Sequence, residues 1–280
     1  MDSLLTQFIW QIDGSYVPQL RVRLQDKSLT PFQSKLPAFY EAKIQANGVA
    51  KSWNMYLADR YSTDRSVLVL PLNGEMSRYS WDNFGNDFYI RALKSAASDP
   101  DFKGVVLQMN TPGGTADSTP AFAQAVAEFR QVKPIIVQTA YCASAGIYVA
   151  SQATEIHIEG QAASSVGSIG TLLIRENYAE YLKKAGIEME IMRATKSKDK
   201  ALVNWIEPTP AEALAKIQAM LDDCQREFEG AVKRGRAGKI KSEEVFSGLM
   251  YGADLAIKLG LADRKGDLPK AVKRVLELAA

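Results

Sequence analysis

A serine with small neighbours lies where a predicted strand gives way to a predicted helix, in the segment YCASAG at residues 141–146. At such a junction the hydroxyl of Ser144 can be exposed while its own N–H faces a developing negative charge. Serine is also a favoured helix N-cap, which is the alternative interpretation. The adjacent Cys142 is predicted to be a small buried hydrophobe and not a second nucleophile.

Two glycines follow a second predicted strand, in the segment TPGG at residues 111–114. Paired glycines let the backbone turn sharply and present N–H groups to a ligand without interference from side chains. Main-chain amides presented in this way are what an oxyanion hole requires. A plain tight turn is the alternative.

A serine nucleophile needs a base, and the chain has a single histidine, His157. The alternation of EIHIE at residues 155–159 predicts that His157 lies on a polar, solvated face of a strand, which argues against catalysis. Lysine is the remaining base, and it must be held neutral by burial and nearby positive charge. If residues 195–200 are extended, Lys196, Lys198 and Lys200 share one side; the alternative is a solvated charged loop.

Strands that alternate with helices must position these groups. Compact apolar runs predict strands, and helical spacing separates them. This order predicts an α/β fold with a mostly parallel sheet, flanking helices and a helical C-terminal part. The predicted strands are 66–72, 104–110, 134–139, 155–159, 171–174 and 188–194; the predicted helices are 36–50, 86–98, 121–132, 144–151, 177–185, 209–234, 242–248, 252–259 and 268–279, and residues 111–120 are predicted to be a loop.

Composition excludes several classes of function. The 280 residues include 34 Lys+Arg, 32 Asp+Glu, one histidine and two cysteines. A zinc site of the usual ligand types and a disulfide framework are both excluded, and we expect no metal and no other cofactor. The formal charge of +2 gives no reason to expect nucleic acid. With no signal-peptide pattern and no long apolar run, the sequence predicts a cytoplasmic protein without membrane association.

Five ordered motifs resemble those of serine peptidases related to signal peptide peptidase A, and are most similar to the soluble branch of phage and prophage head maturation proteases. The resemblance spans about residues 64–265. The motifs are NTPGG (110–114), YCASAGIYVAS (141–151), VGSIGTLL (166–173), ATKSKDKAL (194–202) and FSGLMYGADLAIKLGLAD (246–263).

The resemblance implies a Clp protease/crotonase-like fold and a Ser/Lys dyad. Ser144 matches the family's nucleophile and Lys198 its base, while Ser168 matches a serine that orients the lysine. Gly114 and the N–H of Ser144 would form the oxyanion hole. In relatives the dyad can be shared between protomers of a ring, so a homo-oligomeric ring is the expected assembly.

Two departures from the family's motifs bear on these assignments. Ala145 follows the nucleophile where the family often has glycine, which is a conservative change. Ser197 precedes Lys198 where the family commonly has an aromatic residue or histidine. The choice of base among Lys196, Lys198 and Lys200 therefore stays open.

The implied function is a serine endopeptidase that trims capsid or scaffold protein inside an assembling phage prohead, acting on a protein or peptide substrate. The alternatives are a cytosolic signal-peptide-peptidase-like enzyme that degrades proteins, a crotonase-type acyl-CoA enzyme and a non-catalytic capsid assembly protein. The expected domains are an N-terminal arm at 1–62 that could carry oligomer contacts, a peptidase domain at 63–265 and a C-terminal helix at 266–280.

Overall fold

The computed structural model describes residues 10–13, 16–19, 35–79 and 84–280. Residues 1–9, 14–15 and 20–34 of the predicted arm lie outside the described residues. The strands are β1 (Trp10–Ile12), β2 (Val67–Asn73), β3 (Gly104–Thr111), β4 (Gly113–Thr115), β5 (Ile135–Ala143), β6 (Glu155–Ile158), β7 (Ser165–Gly167), β8 (Met250–Gly252) and β9 (Arg264–Lys265). The helices are α1 (Ala38–Glu41), α2 (Ile44–Tyr61), α3 (Asn86–Ser98), α4 (Thr119–Arg130), α5 (Ala145–Ala150), α6 (Ala179–Lys184), α7 (Ala211–Gly235), α8 (Ala253–Leu259) and α9 (Leu268–Leu278).

The main sheet is mostly parallel, as predicted. Its strand order is β2-β3-β5-β6-β9, and every pairing along that path is parallel. Beyond the end of β6, β7 pairs in parallel with β5 and antiparallel with β8. A separate two-stranded sheet joins β1 to β4 in antiparallel register.

The continuous apolar runs arise because both faces of this sheet are covered. Along β2, Leu68, Leu70 and Leu72 enter the large core beneath helices α2 to α5, whereas Val67 and Val69 face α9. Side chains alternate between the faces of a strand, so a strand that is buried on both sides shows no polar alternation. The C-terminal helix α9 is therefore packed on the sheet and forms its second layer.

Most predicted elements are present, with shifted ends. The predicted helix at 209–234 is α7, and the last three predicted helices are a 3₁₀ turn at Glu243–Phe246 followed by α8 and α9. The helix predicted at 36–50 is instead the pair α1 and α2, which extends to Tyr61. The predicted loop at 111–120 contains β4, because a partner strand from the distant N-terminal region pairs with Gly113–Thr115.

Two predicted strands are wrong. Residues 171–174 make only a single β-bridge, between Leu172 and Trp10, and residues 188–194 form no strand. Met189 and Met192 in the second segment are exposed, the latter by 89%. An alternating pattern becomes a strand only where a neighbouring strand supplies hydrogen-bond partners, and among the described residues no strand pairs with residues 188–194. Across the described ranges, no helix has the length and apolar character needed to cross a membrane.

Candidate active site

Ser144 occupies a sharp turn between the end of β5 and the start of α5. Its backbone has φ 52° and ψ −116°, a conformation that residues other than glycine rarely adopt. Its N–H donates to the Gly167 carbonyl at 2.8 Å, and its carbonyl accepts from the Tyr148 N–H at 3.0 Å. A strained serine at a strand-to-helix turn is the arrangement of a nucleophile elbow.

Close packing requires the small residues around Ser144. A Cβ on Gly146 would lie 2.6 Å from Thr111 Cγ2 and 2.9 Å from Cys142 Sγ, so α5 approaches β3 and β5 only because this position is glycine. Cys142 is fully buried, and burial raises the pKa of its thiol, which keeps it protonated. Cys142 is thus the buried hydrophobe that the sequence predicts.

The two glycines of β4 lie beside the nucleophile and cannot carry side chains. Gly113 has φ 96°, and a Cβ there would meet Ser144 Cβ at 2.9 Å and the Gln11 carbonyl oxygen at 2.2 Å. A Cβ on Gly114 would lie 1.7 Å from the Met76 carbonyl oxygen. The backbone of β4 therefore runs directly past Ser144, where main-chain donors can reach a bound carbonyl group.

The GSIG segment at residues 167–170 contacts Ser144 from another side. The Ser144 hydroxyl donates to the Gly170 carbonyl at 3.4 Å, and Gly167 accepts the Ser144 N–H. Ser168, also at positive φ (53°), donates its N–H to the Leu249 carbonyl at 2.8 Å. The fold thus brings the segment of Ser168 to Ser144, a contact that the motifs imply only through the resemblance.

One predicted oxyanion donor is engaged elsewhere. Because the Ser144 N–H donates to Gly167, it is not free to bind an oxyanion in this structure. The N–H of Ala145 is placed differently: it belongs to the first residue of α5, and the first N–H groups of a helix have no acceptor within the helix. No sequence pattern indicates this difference, since the partner Gly167 comes from another strand.

The three candidate base lysines are not on an extended strand. Residues Thr195–Ser197 form a 3₁₀ turn, and Lys196, Lys198 and Lys200 are all exposed. Among the described residues, no hydrogen bond or ion pair joins these lysines to Ser144 or Ser168. The segment is therefore not extended, and the alternative of a solvated charged loop describes these lysines.

A charged pair that the sequence does not indicate joins the two ends of this lysine loop. Arg193 contacts the two carboxylate oxygens of Glu207 at 2.5 and 3.1 Å and also donates to the Ala201 carbonyl at 3.0 Å. The hydrogen bonds from Arg193 lower the pKa of the Glu207 carboxyl. This pair closes the loop of residues 194–206 at its ends and leaves the lysines at its exposed turn.

His157 is buried, so the prediction of a solvated face is wrong. Its side chain is 1% exposed and its Nε2 lies 2.9 Å from Glu155 Oε2. The neighbouring strand β9 covers this part of β6, and Arg274 of α9 reaches Glu155. His157 pairs with Gln138, six residues before Ser144, so about 20 Å of strand separates it from the nucleophile.

We expect the free energy of unfolding to decrease as the pH falls below 6.5, the usual pKa of histidine. Burial lowers the pKa of His157, although the hydrogen bond with Glu155 opposes this effect. The folded protein therefore binds fewer protons than the unfolded chain in this window, and stability rises with pH across it. Urea unfolding at about pH 5.5 and 7.5 measures the free energy of unfolding at each pH. The difference between the two values should be smaller for His157→Gln than for the unaltered protein. An equal difference in both proteins would contradict this prediction.

A comparison with protein-family models decides the family. The model described as peptidase family S49 matches residues 127–280, more than half of the chain. The chain belongs to peptidase family S49. The S49 match includes Ser144, Ser168 and the lysine loop, whereas the glycines of β4 lie before its first residue. The family predicted from the motifs is confirmed.

Curated relatives of this S49 chain include several proteases. It is 30% identical to a putative protease of Methanocaldococcus jannaschii, with 69% of this chain and 61% of the relative covered. It is 29% identical to capsid assembly protease C of Escherichia phage lambda, with 74% of this chain and 48% of the relative covered. It is 27% identical to a putative signal peptide peptidase SppA of Enterococcus faecium, with 73% of this chain and 61% of the relative covered. The chain thus spans less than two thirds of the length of these relatives.

Two solved structures show a distant likeness in fold. The 1510-N membrane-bound stomatin-specific protease is 18% identical with a TM-score of 0.39, over 74% of this chain and 83% of that one. An enoyl-CoA hydratase from Polaromonas sp. JS666 is 12% identical with a TM-score of 0.40, over 76% of this chain and 72% of that one.

Proposed function

We propose that this S49 chain is a serine endopeptidase with Ser144 as its nucleophile and Lys198 as its base. The strained backbone of Ser144, held between the glycine strand β4 and the GSIG segment, is the observation that carries the proposal. A backbone in this conformation costs folding free energy, and strained backbone conformations cluster at active sites. A catalytic role for Ser144 accounts for this strained conformation.

The proposed reaction proceeds through an acyl-enzyme. Ser144 Oγ attacks the carbonyl carbon of a peptide bond while its proton passes to neutral Lys198. Main-chain N–H groups stabilise the oxyanion, each by about 3 to 4 kcal/mol. Lys198 then donates the proton to the leaving amine, and water hydrolyses the ester. We assign one oxyanion donor to the N–H of Ala145 in place of that of Ser144, which already donates to Gly167. The other is the N–H of Gly114, whose edge of β4 pairs with β1 in this structure and must be vacated for a substrate.

The base needs a drier environment than this protomer gives it. Lys198 is exposed in this protomer, whereas a lysine acts as a base only in its neutral form, which burial favours, so we propose that Lys198 is covered when the site works. Exposed apolar side chains near the lysine loop and on α7 support cover by a neighbouring protomer. They are Met192, Val203, Trp205, Leu214 and Met220. We propose a homo-oligomer in which this surface is buried and Ser168 orients the lysine.

The proposed substrate is a capsid or scaffold protein. Two relatives support this choice: capsid assembly protease C of phage lambda and the head-tail preconnector protein GP5 of Enterobacteria phage P21, the latter 24% identical over 80% of this chain. In this setting the protein acts inside an assembling prohead. The domain division into an arm at 1–62, a peptidase domain at 63–265 and a C-terminal helix at 266–280 is part of the same proposal.

We expect Lys198→Ala to lower the cleavage rate about 10² to 10⁴-fold, because the reaction loses its general base. The measurement is intact-mass spectrometry of the candidate capsid and scaffold proteins after co-expression with each variant. Lys198→Arg should be equally inactive, since a guanidinium group does not give up its proton.

Lys196→Ala and Lys200→Ala are the matched controls for this test, as both lysines lie on the same exposed turn. Both controls should retain cleavage. Loss of cleavage in one of them, with Lys198→Ala still active, would move the role of base to that lysine. Unchanged masses with every variant and with the unaltered chain would reject these capsid and scaffold substrates.

A further inference from the structure

A short strand from the N-terminal region occupies the free edge of β4. One edge of β4 bonds to Met76, through the Met76 N–H to the Gly113 carbonyl at 2.8 Å. The other edge pairs with β1, with Gln11 opposite Gly114. On its far side β1 exchanges two hydrogen bonds with Leu172, at 2.9 and 3.0 Å. The strand therefore bridges the two segments that flank Ser144.

The backbone of Gln11 lies at the nucleophile. A methyl group added to Gly113 would touch both the Gln11 carbonyl oxygen, at 2.2 Å, and Ser144 Cβ, at 2.9 Å. The two groups thus border the same methyl-sized space. Ser144 itself has no exposed surface. A peptide carbonyl group of the chain therefore lies close to Ser144, and the nucleophile is covered.

The side chains of β1 are held in two different ways. Trp10 and Ile12 are buried in a small apolar cluster with Tyr16, Val17 and Leu172, separate from the main core. Gln11 points the other way and is 2% exposed, yet its Oε1 has no hydrogen-bond partner among the described residues. A buried amide oxygen without a partner is unfavourable, so the groove holds Gln11 at a cost.

Asp13, the residue after β1, also holds this N-terminal segment in place through hydrogen bonds. Its N–H donates to the Pro112 carbonyl at 2.7 Å, and its carboxylate accepts from the Tyr141 hydroxyl at 2.8 Å. Tyr141 belongs to β5, three residues before Ser144. The anchor therefore comes from the same strand that positions the nucleophile.

We propose that Trp10–Asp13 is a resident peptide in the substrate groove and inhibits the enzyme by occupying it. An extended substrate would add to the edge of β4 as a strand, and one edge accepts a single strand at a time. Because the segment is part of the chain, its effective concentration at the groove is high. Substrate binding therefore requires that the segment leave. This inference rests on the proposed function for the identity of the groove.

The test replaces Ile12 by aspartate in the full chain. A carboxylate in the small apolar cluster expels the segment, while the main core is untouched because the two clusters are separate. We expect Ser144 to be labelled by a fluorophosphonate about tenfold faster or more, because a larger fraction of molecules is open. Val132→Asp, at a position 64% exposed, is the control and should leave the labelling rate unchanged.

A binding measurement tests the groove independently of catalysis. In a Ser144→Ala background, a fluorescent peptide of residues 7–16 should bind Ile12→Asp protein and bind the parent at least tenfold more weakly. The same peptide methylated at the Trp10 nitrogen should lose binding, because that N–H donates to Leu172. Trp10→Ala replaces Ile12→Asp if the latter shows no cooperative unfolding transition.

The outcomes separate the two proposals. Equal peptide binding by Ile12→Asp and parent proteins, or no binding by either, overturns the resident-peptide inference whatever the labelling rates. Stronger binding by Ile12→Asp, with no labelling or cleavage in any protein, supports occupancy of the groove and rejects the peptidase function.

Discussion

We expect Ser144→Ala to lower the cleavage of a labelled protein such as casein by a factor on the order of 10⁴ to 10⁶, because the acyl-enzyme can no longer form. Labelling by a fluorophosphonate should disappear as well, since this reagent reacts with an activated serine hydroxyl. The two measurements together distinguish a peptidase from a crotonase-type enzyme, whose reaction needs no nucleophilic serine.

The control for this prediction is Ser98→Ala, at an exposed serine at the end of α3 that lies outside every motif. This variant should retain both cleavage and labelling. Urea unfolding of Ser144→Ala shows whether a loss of activity reflects chemistry or misfolding. Labelling that persists in well-folded Ser144→Ala protein would move the nucleophile to another residue.

The largest stability effect is expected at Asp263, whose carboxylate pairs with a buried guanidinium group. Arg236 is 2% exposed and contacts Asp263 at 2.6 and 3.2 Å, and it donates from Nε to the Gly260 carbonyl at 2.9 Å. Asp263 also accepts the Ile156 N–H at 2.7 Å. The pair therefore ties the end of α7 to β6.

We expect Asp263→Ala to lower the free energy of unfolding by about 3 to 5 kcal/mol, because the charge of Arg236 stays buried without a partner. Urea denaturation followed by circular dichroism measures the change. Burial raises the pKa of Asp263, but the hydrogen bonds from Arg236 outweigh it and leave the pKa below its usual value of 3.8. This stabilisation is therefore present above pH 3.8 and is lost as the pH falls through the lowered pKa.

Asp254→Ala is the matched control, since Asp254 is 87% exposed and pairs with the half-exposed Lys265. An exposed pair contributes about 0 to 1 kcal/mol. Replacing both buried partners, as Arg236→Met with Asp263→Leu, should recover most of the lost stability because no unpaired charge remains. A double variant that is as unstable as Asp263→Ala would show that the loss does not come from the unpaired charge.

Strands and helices were predictable where burial is complete. The runs at 66–72 and 104–110 are apolar on both strand faces, a pattern that a two-sided core imposes and that no exposed segment tolerates. The alternating run at 188–194 was misleading because its pattern is the same whether or not a partner strand exists. Its exposed methionines fit a surface that another protein covers, as the proposed oligomer would require.

The candidate nucleophile was predictable for a local reason. Ser144 lies between small residues at the end of a strand, and two glycines follow the preceding strand. These small residues are visible in the sequence, and they predict a tightly packed turn at the serine. His157 was misjudged for the opposite reason. Alternation says which side chains share a face, but whether that face is solvated depends on β9 and α9, which lie about 100 residues further along the chain.

The sequence by itself determined the family, through five motifs in order along the chain. It also determined the order of the α/β elements and the serine at the turn, because these depend on neighbours that are close in sequence. Only the tertiary structure decided that the Ser144 N–H donates to Gly167, that the lysine loop is exposed, and that Gln11 lies beside the nucleophile. These features depend on hydrogen bonds and contacts between segments that are distant in sequence. A strand edge accepts whichever segment the fold brings to it, and the residues of β4 do not specify that β1 is the one.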